Sequence, residues 1–187
     1  KHLLKNISVE RIFIELSKLL CGKNAADILH EFKDIIFLIL PELDPMNGCK
    51  QNHERHIYDV WGHTVAAVAA VQPEPELRFA MLLHDSGKPH CKTTDKNGID
   101  HFYSHGKTSK KIAFDMLTRL KTSNKFRDTV CNLVEYHDFL SDKISKKTYK
   151  KYISLLGLDT VKELFEIRKA DVLAQNPKFH AESLLEN

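Results

Sequence analysis

His84-Asp85 closes an apolar run (Leu77, Phe79, Ala80, Met81, Leu82, Leu83) and leads straight into Ser86-Gly87-Lys88-Pro89. An imidazole and a carboxylate, both metal-competent, sit beside a glycine that frees the backbone and a lysine that suits a phosphate. The chemistry these side chains offer is divalent-cation binding and phosphoester hydrolysis. Further metal-competent groups recur along the chain at His63, His105, His137 and Asp171. Each is unremarkable alone, because a single histidine on an apolar helix is more often a satisfied core residue than a ligand. Asp171, set among Lys169, Ala170, Val172, Leu173 and Ala174, needs either solvent or a charge partner. Brought to one point, these groups would make a binuclear site of mixed imidazole and carboxylate. That donor set suits Mg, Mn, Fe, Co, Ni or Zn ions, not a thiolate-held structural zinc.

The elements that must position them read as helix after helix. Ser8 is the N-cap of a helix carrying Val9, Ile12, Phe13, Leu16, Leu19 and Leu20 at helical spacing, ending at Gly22. Residues 24–29 and 31–40 continue as helix until Pro41, and 41–55 form a turn-rich connection. A long apolar helix from about Tyr58 to Val71 carries His63, and the next helix carries His84-Asp85. Residues 89–103 hold a loop or short hairpin around Asn97-Gly98. Helices follow at about 104–120, 124–138, 145–156 and 159–174, the last turning Val161, Leu164, Phe165, Ile167 and Leu173 toward a core. No sustained strand alternation and no internal repeat appears, so the fold class is all-α.

Composition narrows the frame without naming a function. The 187 residues suffice for one real core with a small helical annex, and 42% apolar with 28% charged residues is ordinary globular usage. A net charge of +3 implies no polyelectrolyte partner by itself. Basic residues do cluster, at Lys107, Lys110, Lys111, Arg119, Lys121, Lys125 and Arg127, then at Lys143, Lys146, Lys147, Lys150 and Lys151. Such runs are either solvated helix faces or contacts for a phosphate backbone. Cys21, Cys49, Cys91 and Cys131 are widely spaced, and no signal peptide or membrane-length apolar run is visible. Reduced thiols in a cytoplasmic protein, without a membrane role, are expected. The chain has no initiator methionine and reads as a fragment or processed product.

Together, His63…His84-Asp85…Asp171 resembles the metal-binding signature of the HD superfamily of metal-dependent phosphohydrolases. His84-Asp85-Ser86-Gly87-Lys88-Pro89 resembles its HD-x-G-K-P segment, with Ser86 where an aliphatic residue is more usual. His105 and His137 stand where binuclear members supply extra histidines, and the resemblance spans about residues 50 to 175. It implies a multi-helix HD-domain bundle and two divalent ions bridged by Asp85. His63, His84 and Asp171 would hold one ion, His105 and His137 the other. The implied reaction is two-metal phosphoester hydrolysis with in-line attack by water on phosphorus. Asp85 and Lys88 are the implied catalytic residues. Lys88 either meets a phosphate oxygen or orients Asp85, set against the plainer reading of a surface lysine in a turn; Lys107 is a second candidate for the phosphate. His56, seven residues before His63 and so on much the same helix face, is read as supporting the ligands or facing substrate. His53, His90 and His101 are read as solvent or loop histidines.

A second resemblance lies upstream. Ser8-Val9-Glu10-Arg11-Ile12 with Glu15-Leu16 is similar to the helix after the catalytic head of tRNA nucleotidyltransferases and poly(A) polymerases. Leu40-Pro41-Glu42-Leu43, Gln51-Asn52 and the stretch from His56 to Thr64 continue it. It implies the C-terminal part of such a protein, with a helical RNA-binding neck over residues 1–48 and an HD domain over 49–187. No Gly-Ser plus Asp-x-Asp nucleotidyl-transfer motif is present, so these residues alone are expected to add no nucleotides to RNA. The implied substrates are nucleotides and other phosphomonoesters, 2′-phosphates or 2′,3′-cyclic phosphates, with tRNA as a partner. The competing reading is a non-catalytic tRNA-binding module with a structural metal, serving a separate head; a third is a nucleotidase-like enzyme standing alone.

Overall fold

The computed structural model describes residues 7–139 and 145–180. Ser8 is extended, and its side chain accepts a hydrogen bond from the Arg11 amide to start α1 (Val9–Cys21), as its sequence implies. α2 (Ala25–Glu31) and α3 (Lys33–Ile39) follow. Pro41, which has no N–H to donate, diverts the chain into a 3-10 turn over Pro41–Met46. Asp59 then caps α4 (Val60–Ala70): its Oδ1 accepts from the Gly62 amide and its Oδ2 from the Gly48 amide, both at 2.7 Å. This cap starts the helix two residues later than the apolar pattern implies. His56 lies four residues before the helix, not on its face.

α5 (Pro75–Leu83) is buried from Leu77 to its end, Arg78 included, because Leu77 and the run Phe79–Leu83 leave it no solvent-facing apolar side. Phe79 is central to it, its ring centroid 5.4 Å from those of both Phe13 on α1 and Phe126, which are themselves 5.1 Å apart. Phe79→Ala is expected to cost about 3–5 kcal/mol of stability, read by urea denaturation, because the trio leaves a cavity that three helices cannot close together. Regular helix stops at Leu83 and resumes as α6 (Lys88–Cys91), so the His-Asp pair sits in the intervening turn rather than within the helix. Pro89 accounts for the break: its ring has no N–H for the Asp85 carbonyl and would strike it in a continuous helix. That carbonyl accepts from the Lys88 amide instead, at 2.9 Å. Ser86 is fully buried, and its hydroxyl donates to the Leu83 carbonyl at 2.8 Å, which explains how a polar residue fits there.

The expected hairpin forms from β1 (Thr93–Thr94) and β2 (Asp100–His101), antiparallel, with Gly98 at a φ of 81° in its turn. α7 (His105–Arg119), α8 (Asn124–Tyr136), α9 (Lys146–Leu156) and α10 (Leu158–Leu173) complete an all-α bundle, followed by a 3-10 turn over Pro177–Phe179. Buried side chains of α1–α5, α7, α8 and α10 form one continuous apolar cluster. Phe37 of α3 packs edge-on against Trp61 of α4 at 4.8 Å, joining the N-terminal helices to the rest. On α10, Leu173 is exposed, contrary to the sequence reading, because Ala170, Asp171 and Ala174 take the inward face.

The first basic run is largely neutralised. Lys110, Arg119, Lys121 and Arg127 pair with Glu135, Glu42, Glu10 and Asp128 respectively. Lys146, Lys147, Lys150 and Lys151 form an exposed face of α9, whereas Lys143 lies outside the described residues. Among the described residues the cysteines are all free thiols, and no helix is long and apolar enough to cross a membrane.

Candidate metal centre

Five chain segments converge on Asp85. α4 brings His63, the end of α5 brings His84, the start of α7 brings His105, the end of α8 brings His137, and α10 brings Asp171. The close approach of these backbones depends on two glycines. An added Cβ at Gly87 would lie 2.6 Å from the His105 carbonyl oxygen, and one at Gly106 would lie 2.8 Å from that of Glu135. Only hydrogen there lets the Asp85 turn abut α7, and α7 abut the end of α8. Ser104, just before His105, adopts a left-handed φ of 61°, a strained conformation for a residue with a side chain.

The Asp85 carboxylate divides its oxygens between two groups of imidazoles. Oδ2 is 3.2 Å from His84 Nε2 and 3.6 Å from His63 Nε2; Oδ1 is 3.3 Å from His105 Nε2 and 3.8 Å from His137 Nε2. Asp171 Oδ1 joins the first group, 2.9 Å from His63 Nε2 and 3.8 Å from His84 Nε2. Its other oxygen accepts from Arg168 at 2.8 Å and Gln175 at 3.2 Å, which fixes the carboxylate's orientation.

Proton placement favours ligation. His84, His105 and His137 donate Nδ1–H to the carbonyls of Met81, Phe102 and Val134 at 2.7, 2.8 and 2.7 Å. Their Nε2 lone pairs are thereby turned inward, the arrangement of metal-bound histidines. Inward nitrogens lie close, 3.0 Å between His105 and His137 and 3.3 Å between His84 and His63. Two lone pairs at that distance repel unless a proton or a cation lies between them. Two nitrogens about 2.1 Å from one ion are separated by about 3.0–3.4 Å, so the spacing fits a shared ion. Asp85 Oδ2 is moreover buried without a hydrogen bond, with the Lys88 ammonium at 2.7 Å and the His84 and His63 imidazoles around it. The residues present fit a divalent cation, at His63, His84 and Asp85 and at Asp85, His105 and His137 alike.

Electrostatics tell the same story. Burial alone would raise the Asp85 carboxyl, but the charges of His84 and Lys88 override it and hold it well below the usual range. Burial likewise lowers His84 and His105, yet Asp85 outweighs it and both end above the ordinary imidazole value. His137 falls, because burial together with its positive neighbours outweighs the attraction of Asp138. Asp171 would rise by burial but is held far below its usual range by His63. A folded pKa raised above the unfolded value of about 6.5 adds stability at low pH that is lost as pH rises through it. Metal-free protein should thus lose the His84 and His105 contributions as pH rises above the ordinary imidazole value. Cation binding needs neutral imidazoles and strengthens over that same rise. The gain in melting temperature on adding Mn²⁺ is expected to grow from pH 6 to pH 8; a gain that shrinks contradicts this account.

Lys88 is buried, not a surface lysine of a turn. Its Nζ lies 2.7 Å from Asp85 Oδ2 and donates to Gln51 Oε1 at 2.7 Å. Above it opens a cavity of about 420 Å³ walled by His53, Arg55, His56, Lys88, His101 and Tyr103. His53 and His101 therefore belong to the site's wall and are not merely loop histidines. His56 packs 5.5 Å from the His63 ring, and burial, then the Lys88 charge, push it down to about 3. His90 is exposed, and Lys107 is exposed and absent from the cavity wall. The sequence reading missed Gln51, Arg168 and Asp138, whose Oδ2 lies 3.3 Å from His105 Nε2 and 3.5 Å from His137 Nε2.

Two family models match the chain. One, described as "Probable RNA and SrmB-binding site of polymerase A", covers residues 1–46. The other, described as "HD domain", covers residues 54–176, well over half of the sequence and every residue that converges on Asp85. The chain belongs to the HD domain family of metal-dependent phosphohydrolases, with a segment similar to the polymerase A RNA-binding region in front.

Proposed function

We propose that the protein hydrolyses phosphoesters of nucleotides, such as 2′-phosphates and 2′,3′-cyclic phosphates. We propose further that it is the C-terminal part of a tRNA nucleotidyltransferase or poly(A) polymerase-like protein, with a neck over residues 1–48 and the HD domain over 49–187. The observation that carries the catalytic reading is the Asp85 carboxylate, one oxygen facing His63 and His84, the other facing His105 and His137. With Asp171 these are the ligands of the proposed pair of ions.

Divalent cations held there supply Lewis acidity to a phosphoryl group and lower the pKa of water. The protein's own groups do the rest. Asp85 and Asp171 offset the cations' charge, and the backbone carbonyls behind His84, His105 and His137 keep the imidazoles aimed. The Lys88 ammonium faces the Asp85 carboxylate at 2.7 Å and donates one N–H to Gln51, leaving an N–H for a phosphate oxygen in the cavity it lines. His101 and Tyr103 stack in parallel at 5.4 Å on the cavity rim, with Tyr103 exposed, an aromatic face on which a nucleobase packs. The exposed lysine face of α9 suits an approaching RNA backbone, and separated free thiols suit the reducing cytoplasm.

The test is hydrolysis by the Mn²⁺-loaded protein of a 2′-nucleotide, a 2′,3′-cyclic nucleotide and p-nitrophenyl phosphate. Metal-dependent turnover with preference for the nucleotides is expected. Bound metal without turnover of any of them contradicts the catalytic reading and favours a tRNA-binding module with a structural ion.

A further inference from the structure

The chain carries two helix-ending His-Asp pairs, and the second, His137-Asp138, repeats the construction of the first. His84 and His137 each follow the last helical residue, of α5 and α8, with right-handed helical backbone. Each donates Nδ1–H to the carbonyl three residues back, at 2.7 Å. In both cases the next residue turns a carboxylate into the same cluster. Asp138 Oδ2 approaches His105 and His137 Nε2 to 3.3 and 3.5 Å, as close as Asp85 Oδ1 does at 3.3 and 3.8 Å.

We propose that Asp138 is the terminal carboxylate ligand of the His105/His137 half of the centre, the counterpart of Asp171 in the other half. Each half then offers two imidazoles, one oxygen of the shared Asp85 and one carboxylate of its own. This inference rests on the two-ion reading above. The halves differ in how firmly that last carboxylate is held. Asp171 is buried and gripped by Arg168 and Gln175, whereas half of the Asp138 side chain is exposed at the cavity mouth. A half-exposed carboxylate is readily displaced, so the His105/His137 half is the weaker cation site and the one that exchanges ligands.

The experiment titrates Mn²⁺ into the metal-free, full 187-residue protein by calorimetry, with electron paramagnetic resonance counting the free ion. Wild type is expected to take two ions per chain, the second more weakly. Asp138→Ala keeps the affinity for the first ion and loses affinity for the second by on the order of tenfold or more. Asp138→Asn, which keeps shape and loses charge, falls between. Asp171→Asn weakens the tighter ion instead. Because Asp138 is half exposed, both variants at that position melt like wild type without metal. An unchanged second affinity in Asp138→Ala overturns the assignment while leaving the two-ion reading standing. A wild type that takes one ion or none overturns both.

Discussion

Asp85→Ala is expected to remove metal-dependent phosphoester hydrolysis. Losing one preorganised electrostatic group at a reacting centre costs on the order of a hundred- to a thousandfold in rate. Asp85 faces both halves of the site, so its loss is expected to exceed that range. The substitution also strands the buried Lys88 ammonium, 2.7 Å from the missing carboxylate. Removing one partner of a buried pair costs about 3–5 kcal/mol, so the variant folds but melts lower. Asp85→Ala combined with Lys88→Met separates the two effects: stability returns, turnover does not. Unchanged turnover by the single variant under saturating Mn²⁺ contradicts the role given to Asp85.

Gly87→Ala comes second in expected effect, although residue 87 carries no functional group. The new methyl would lie 2.6 Å from the His105 carbonyl oxygen and 2.7 Å from the Ser109 amide nitrogen, both backbone atoms that cannot swing aside. It also threatens the hydrogen bond from the Gly87 amide to Ser109 Oγ at 2.8 Å. Relief requires the Asp85 turn to withdraw from α7, which parts Asp85 from His105. Overpacking of this kind costs about 1–3 kcal/mol, and a misplacement of about 1 Å costs on the order of a hundredfold in rate. Urea denaturation and Mn²⁺ titration together check this. Wild-type stability with wild-type Mn²⁺ affinity would show that the contact is not needed.

Most of the helical order is legible in the sequence because its signals are local. Ser8, Gly22, Pro41 and the Pro73–Pro75 region punctuate apolar runs of helical period, and Asn97-Gly98 marks the hairpin. His63, His84, Asp85, His105, His137 and Asp171 are legible as a set because imidazoles and carboxylates recur at successive helix ends and faces. What the sequence hides is set by packing between distant segments. Gln51 reaches Lys88 across 37 positions, and the hairpin and the residues after it bring His101 and Tyr103 to a cavity that Asp85, Lys88 and Asp171 also line. His56 precedes the helix that Asp59 caps, so its place beside His63 arises from a loop, not from a seven-residue interval. Asp138 had a readable signal, since His137-Asp138 repeats the dipeptide that makes His84-Asp85 conspicuous. Arg168 had one too, three residues before Asp171 and hence on the same face of α10.

The central claim is that one carboxylate, Asp85, is shared by two cations. Anomalous diffraction from crystals grown with Mn²⁺ tests it most directly. The account predicts two peaks about 3.5–4 Å apart, one beside His63, His84 and Asp171, the other beside His105 and His137, with an Asp85 oxygen on each. A single peak, or two peaks that do not share Asp85, would contradict it.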